Sequence, residues 1–136
     1  MKRPILAFAA GLLLWVVVIS VLNRGLRVFI ADYAAAELTF SFTLGMLLAR
    51  LAIAALASLL AGGVAAWIAP ASVRVPVLLG AVLLLTFLPI HVRLWNLFPF
   101  WYHLVFLVTL VPLVVLGARI ARAAGGRGAA AGGPGG

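Results

Sequence analysis

The chain alternates long apolar stretches with short polar interruptions. Runs without a charged residue cover 4–23, 38–49, 51–73, 75–92 and 94–118. A helix needs about 20 predominantly apolar residues to cross a hydrocarbon core of about 30 Å, so the run 38–49 cannot cross alone. Pro70 closes the third run, and Pro99 marks the start of the helix in the fifth. The pattern predicts four transmembrane helices, at about 4–23, 42–69, 75–92 and 100–120.

The composition indicates that the solvent around these helices is lipid. Of the 136 residues, 67% are hydrophobic and 9% are charged, and the mean hydropathy is +1.31. Soluble proteins carry about 45–50% apolar and about 25% charged residues. We therefore expect an all-α fold, an integral membrane four-helix bundle formed by a single domain over residues 1–122. The Gly/Ala-rich tail, residues 123–136, lacks apolar periodicity and is predicted to be disordered.

The distribution of positive charge predicts the orientation. Four spans place both termini on the same side as the loop around Arg74. That side carries Lys2, Arg3, Arg74, Arg119, Arg122 and Arg127, and the other carries Arg24, Arg27 and Arg93, with Arg50 at its edge. The excess of Lys and Arg favours cytoplasmic termini, with dual topology as the alternative. Because these charges are scattered between apolar runs, nucleic acid is not an expected partner.

One arginine lies inside the second predicted helix. Arg50 has apolar residues on both sides, and an arginine at the centre of a bilayer costs about 2.5–3.5 kcal/mol on insertion scales. The outer loop, residues 24–41, holds the chain's two acids, Asp32 and Glu37, and is predicted to form a short interfacial helix or to extend the first helix. The candidate cluster is therefore Arg50, Asp32 and Glu37, closed as an ion pair if the loop folds back. The alternative is an anion or lipid headgroup on Arg50.

Small residues recur at every fourth position of the second predicted helix. They are Ala54, Ser58, Gly62 and Ala66. Hydrophobicity does not drive helices together in lipid, whereas close backbone approach through small residues does. This face predicts packing within the bundle, with Ala7 and Gly11 of the first helix as candidate partners, and a dimer seam is the alternative.

The segment HVRLWNLFPFWYH, residues 91–103, joins the last two predicted helices. Trp95, Trp101 and Tyr102 are expected to form an aromatic belt at the membrane interface. His91 and His103 fall at one depth on neighbouring helices, where two imidazoles could hold a haem or a metal, or pass a proton. The chain has no cysteine and no third histidine, so a closed zinc site is not supported and no metal or cofactor is expected.

Residues Trp95 to Phe106 fit the pattern W-x-x-F-P-x-W-Y-H-L-x-F. This pattern resembles a signature of small four-span bacterial membrane proteins of unknown function. The Ala-Arg-Leu at 49–51, followed by an alanine-rich span, is similar to theirs. The resemblance covers residues 1–120 and implies the fold and a place in the bacterial inner (cytoplasmic) membrane, without an activity.

Three classes of function remain open. The first is a structural or accessory membrane protein that packs with itself or with a larger membrane complex. The second is a small transporter or lipid-handling protein that uses Arg50 on the outer side, and the third is a haem or redox protein that uses His91 and His103. Membrane lipid is a partner in each class. Enzymatic hydrolysis is poorly supported because both acids lie in one loop and no carboxylate pair spans the bundle.

Overall fold

A computed structural model describes residues 1–133 and shows an all-α fold, as predicted. Its helices are α1 (Lys2–Phe29), α2 (Tyr33–Thr39), α3 (Leu44–Ile68), α4 (Arg74–Arg93) and α5 (Phe100–Ala131). Within these described residues there is no β-strand. The four long helices, α1, α3, α4 and α5, are each long and apolar enough to cross a membrane.

The long helices pack in the order α1, α3, α5, α4 around the bundle. Helices α3 and α5 run parallel: Arg50 in the second turn of α3 meets Tyr102 in the first turn of α5, and Pro70, just after α3, meets Arg122 in the later part of α5. Helices α1 and α4 run in the opposite direction. We call the end that holds Arg50, with the C-termini of α1 and α4 and the N-termini of α3 and α5, the arginine end.

Helices α3 and α5 touch backbone to backbone. A Cβ atom added to Gly62 would collide with the Val114 carbonyl, and one added to Gly117 would collide with the Leu59 carbonyl. Only glycine permits this approach, and close approach is what holds apolar helices together in lipid. The crossing therefore fixes both the distance and the register between α3 and α5.

The rest of the small-residue face is also used inside the chain. Ala54, Ser58, Gly62 and Ala66 are all buried. Ser58 Oγ accepts a hydrogen bond of 3.1 Å from Trp15 Nε1 of α1 and donates one of 2.7 Å to the Ala54 carbonyl. Packing within the bundle thus occupies the face that could otherwise serve as a dimer seam.

Helix α1 meets this face through the small residues that the sequence singles out. Ala7 is fully buried, and Gly11 is so close to α3 that an added Cβ would lie 3.0 Å from the Ala61 carbonyl oxygen. The same Cβ would lie 2.6 Å from Leu79 of α4. Gly11 therefore sets the approach of α1 to two helices at once.

The predicted outer loop, residues 24–41, is largely helical. Helix α1 continues through Gly25 to Phe29, and the short α2 follows. The residues that flank α2, Asp32 and Phe40, have left-handed φ angles of 62° and 53°. These two reversals turn α2 back over the bundle, where Tyr33 packs with Met46 of α3.

Helix α5 also extends beyond its predicted end. The tail was expected to be disordered from residue 123, whereas α5 continues to Ala131. Residues 134–136 of that expectation lie outside the described residues. Arg122 anchors the helix as it leaves the bundle, because its Nε donates to the Pro70 carbonyl (3.0 Å) and its Nη2 to the Ser72 carbonyl (2.7 Å).

The α3–α5 crossing gives a first prediction. The Gly62→Ala substitution should destabilise the protein by about 1–3 kcal/mol, because the new methyl group has to push two backbones apart. Gly63→Ala is the matched control, since its Cβ would lie 3.7 Å from the nearest atom, the Gly117 carbonyl oxygen. Thermal unfolding of the two detergent-purified variants checks this, and equal melting temperatures would contradict the tight crossing.

Candidate functional site

Arg50 sits in a cage of aromatic side chains at the arginine end. Its Nη1 donates to the hydroxyl of Tyr33 on α2 (2.8 Å), and its Nε donates to the hydroxyl of Tyr102 on α5 (3.2 Å). Its Cζ lies 4.9 Å from the ring centre of Phe42 and 5.9 Å from that of Phe98. Guanidinium groups are attracted to aromatic faces, most strongly when water is excluded. The cage replaces much of the hydration that an arginine loses among apolar helices.

The carboxylate of Glu37 is shared unequally between two arginines. Glu37 Oε2 accepts a hydrogen bond from Arg27 Nε at 2.5 Å, whereas Glu37 Oε1 lies 3.7 Å from Arg50 Nη1. Two guanidinium groups around one carboxylate leave a net positive charge. The side chain of Arg50 is 26% exposed, compared with 52% for Arg27, so the more buried arginine has the weaker partner.

Asp32 does not join this cluster, which corrects the predicted set. It is exposed and precedes the first turn of α2, and it forms no ion pair within residues 1–133. Its left-handed backbone turns the chain so that Glu37, five residues on, faces the arginines. The sequence analysis assigned Arg27 no part in the cluster. The signal that could have found it is its spacing from Asn23: the two residues are four apart and therefore share one face of α1.

Tyr33 connects α2 to Arg50 as a neutral hydroxyl. Its side chain is fully buried. Burial raises the pKa of Tyr33 above its ordinary value of 10.0, while the hydrogen bond from Arg50 acts in the opposite direction. The hydroxyl therefore stays protonated at neutral pH and accepts from the guanidinium.

His91 and His103 form a direct, buried pair. Their Nδ1 atoms are 2.8 Å apart, and the two residues are 7% and 1% exposed. One Nδ1 must donate and the other accept. The two candidate cofactor ligands thus form a hydrogen-bonded pair.

A cavity of about 220 Å³ opens beside these groups. We call it the arginine pocket. Its lining comes from all four long helices and the α4–α5 turn: Ile19, Asn23, Arg50, Phe87, Ile90, His91, Leu94, Phe98, Tyr102, His103 and Phe106.

Polar atoms of the arginine pocket lack partners. Among the described residues, Asn23 Oδ1 and His103 Nε2 are buried without a hydrogen bond. The hydrogen bonds of Arg50 within the same residues use Nε and Nη1, which leaves the N–H groups of Nη2 for another acceptor. Buried polar groups are nearly always paired in folded proteins, so these atoms call for water or a polar ligand in the pocket.

Two of the three residues predicted to form an aromatic belt are exposed, and the third is buried. Trp95 and Trp101 are 43% and 36% exposed, as an interfacial position requires, but Tyr102 is only 5% exposed. Tyr102 turns inward because it lies on the side of α5 that meets α3, where its hydroxyl accepts a hydrogen bond from Arg50 Nε.

No protein-family model, curated protein or solved structure matches this chain. Function is therefore inferred from the residues of the pocket.

The cage around Arg50 gives a second prediction. Tyr33→Phe should lower the free energy of unfolding by about 1.5–3 kcal/mol, the range for hydrogen bonds to charged groups. In an Arg50→Met background, where no guanidinium needs an acceptor, the same substitution should lose less than half as much. Unfolding of the four variants in mixed micelles completes this cycle, and an equal loss in both backgrounds would show that Tyr33 acts independently of Arg50.

Proposed function

We propose that the chain is an integral protein of the bacterial inner membrane that binds an anionic group in the arginine pocket. This places it in the class of small transporters and lipid-handling proteins. The observation that carries the proposal is that Arg50, whose Nη2 makes no hydrogen bond within residues 1–133, lines the same cavity as Asn23 and His103, which each hold a buried polar atom without a partner there. Arginine offers planar paired donors that match carboxylate and phosphate groups.

The charge at the arginine end supports an anion. Arg24, Arg27, Arg50 and Arg93 lie there, with Asp32 and Glu37 as the acids. Four positive and two negative groups leave an excess of two positive charges, and Glu37 is committed mainly to Arg27. A cleft lined by one sign of charge with apolar walls concentrates ions of the opposite sign.

The outer surface supports insertion in lipid. Leu13, Leu85 and Val108, on three different helices, are 65%, 68% and 62% exposed. Such faces are stable against acyl chains and unfavourable in water. The excess of Lys and Arg at the opposite end supports cytoplasmic termini, which puts the arginine pocket on the outer side.

A structural or accessory role is the second candidate. The observation that favours it is the way Arg50 ties α2, α3 and α5 together through Tyr33 and Tyr102. In this case Arg50 contributes only stability, and no anion changes that stability through Arg50.

The orientation gives a third prediction, which the absence of native cysteine makes simple to test. Asn96 lies in the α4–α5 turn at the arginine end, and Ala71 lies in the α3–α4 turn at the opposite end; both are exposed. In spheroplasts, a membrane-impermeant maleimide should label the Asn96→Cys variant directly and the Ala71→Cys variant only after lysis. Labelling of both variants before lysis would indicate dual topology.

Anion binding gives a fourth prediction. Inorganic phosphate, phosphatidylglycerol or phosphatidic acid should raise the melting temperature of the detergent-purified protein, and phosphatidylcholine should not. A ligand at 100 times its Kd stabilises by about 2.7 kcal/mol. The rise should disappear in Arg50→Met and persist in Arg93→Gln, which removes an exposed charge at the same end. If no anion acts through Arg50, the binding role is lost and the accessory role is favoured.

A further inference from the structure

The three residues of the arginine pocket that, within residues 1–133, hold polar atoms without partners come from three different helices. Asn23 belongs to α1, Arg50 to α3 and His103 to α5. The bundle therefore brings them together although they are far apart in sequence. Their combined hydrogen-bonding capacity defines the chemistry of the anion, and this step rests on the binding role proposed above.

Arg50 and Asn23 have opposite hydrogen-bonding requirements. Arg50 Nη2 only donates, whereas Asn23 Oδ1 only accepts. A single acidic group that satisfies both needs an anionic oxygen and an O–H of its own. Ionised carboxylates and phosphate diesters present acceptors alone at the acidic group. A singly ionised phosphate monoester has both, because it keeps one P–O–H beside its charged oxygens.

The histidine pair can supply a further hydrogen-bond donor to the phosphate. When His91 Nδ1–H donates to His103 Nδ1, the remaining proton of neutral His103 lies on Nε2. His103 then donates to a second phosphate oxygen from a position where it is otherwise buried and without a partner.

The position of the pocket in the bundle indicates which kind of molecule the phosphate belongs to. Helices α1 and α4 meet where the rings of Trp15 and Phe87 are 4.9 Å apart, and the pocket lies beyond that contact, towards the arginine end. There Ile19 of α1 and Ile90 of α4 form an apolar wall, and Ile90 is 43% exposed on the bundle surface. A hydrocarbon chain can leave the pocket between α1 and α4 into the surrounding lipid.

The volume fits a headgroup and excludes a whole lipid. A cavity of about 220 Å³ equals the liquid volume of about seven water molecules, at about 30 Å³ each. This holds a phosphate and a few carbon atoms. We propose that the arginine pocket binds the phosphate monoester head of a lipid, whose chain leaves between α1 and α4.

The fifth prediction compares two anionic lipids on the intact protein. Phosphatidic acid, a monoester, should bind the protein about tenfold or more tightly than phosphatidylmethanol, a diester whose head has no hydroxyl, because one extra hydrogen bond in a buried site contributes about 1.4 kcal/mol. Affinities are measured from the dependence of melting temperature on lipid concentration. Asn23→Leu should reduce the ratio to about one by removing the acceptor for the P–O–H. Asn96→Leu, an exposed asparagine at the same end, should leave the ratio unchanged.

The outcomes separate the two proposals. Equal affinities that both depend on Arg50 overturn the monoester inference and leave anion binding intact, as does a preference that survives Asn23→Leu. If that variant fails to fold, Asn23→Ala provides the same comparison. Displacement of phosphatidic acid by an equal concentration of inorganic phosphate overturns the lipid part, since a free ion then suffices. Loss of any Arg50-dependent effect overturns both.

Discussion

The backbone contact between α3 and α5 is the constraint on which the other features depend. Gly62 and Gly117 let the two parallel helices touch, and this contact fixes their register. At the arginine end that register brings Tyr102 to Arg50, and at the opposite end it brings Arg122 to the carbonyl of Pro70; each pair is separated by 52 residues. A change of one residue in register would move both pairs out of reach together.

The cage around Arg50 shows how a charge is accommodated among apolar helices. An isolated guanidinium in lipid loses its hydration and has no compensation. Here the tyrosine hydroxyls satisfy two N–H groups, and aromatic faces cover the flat sides of the group. Because Tyr33 belongs to α2, the fold-back of this short helix is part of the solution. The reversals at Asp32 and Phe40 are therefore linked to the stability of an arginine that lies some distance along the chain.

Local patterns predicted the long helices, and long-range contacts decided the rest. Span length and proline positions placed α3 and α4 closely, since the apolar run and its breaks determine where such helices end. The tail continues α5 to Ala131 because an established helix needs no new nucleus, and its alanines extend it past Gly125, Gly126 and Gly128. The inward turn of Tyr102 depends on which side of α5 faces α3, and composition carries no such information. Asn23 was missed for the same reason, because its partners lie on other helices.

The unequal sharing of Glu37 bears on how the site would respond to occupancy. Since Arg27 holds this carboxylate more closely than Arg50 does, an incoming anion competes for Arg50 without having to release Glu37 from α1. Helix α2 keeps its anchor while the charge on Arg50 is neutralised. For the proposed anion the site would be preorganised, because its binding to Arg50 would not require the loop to open.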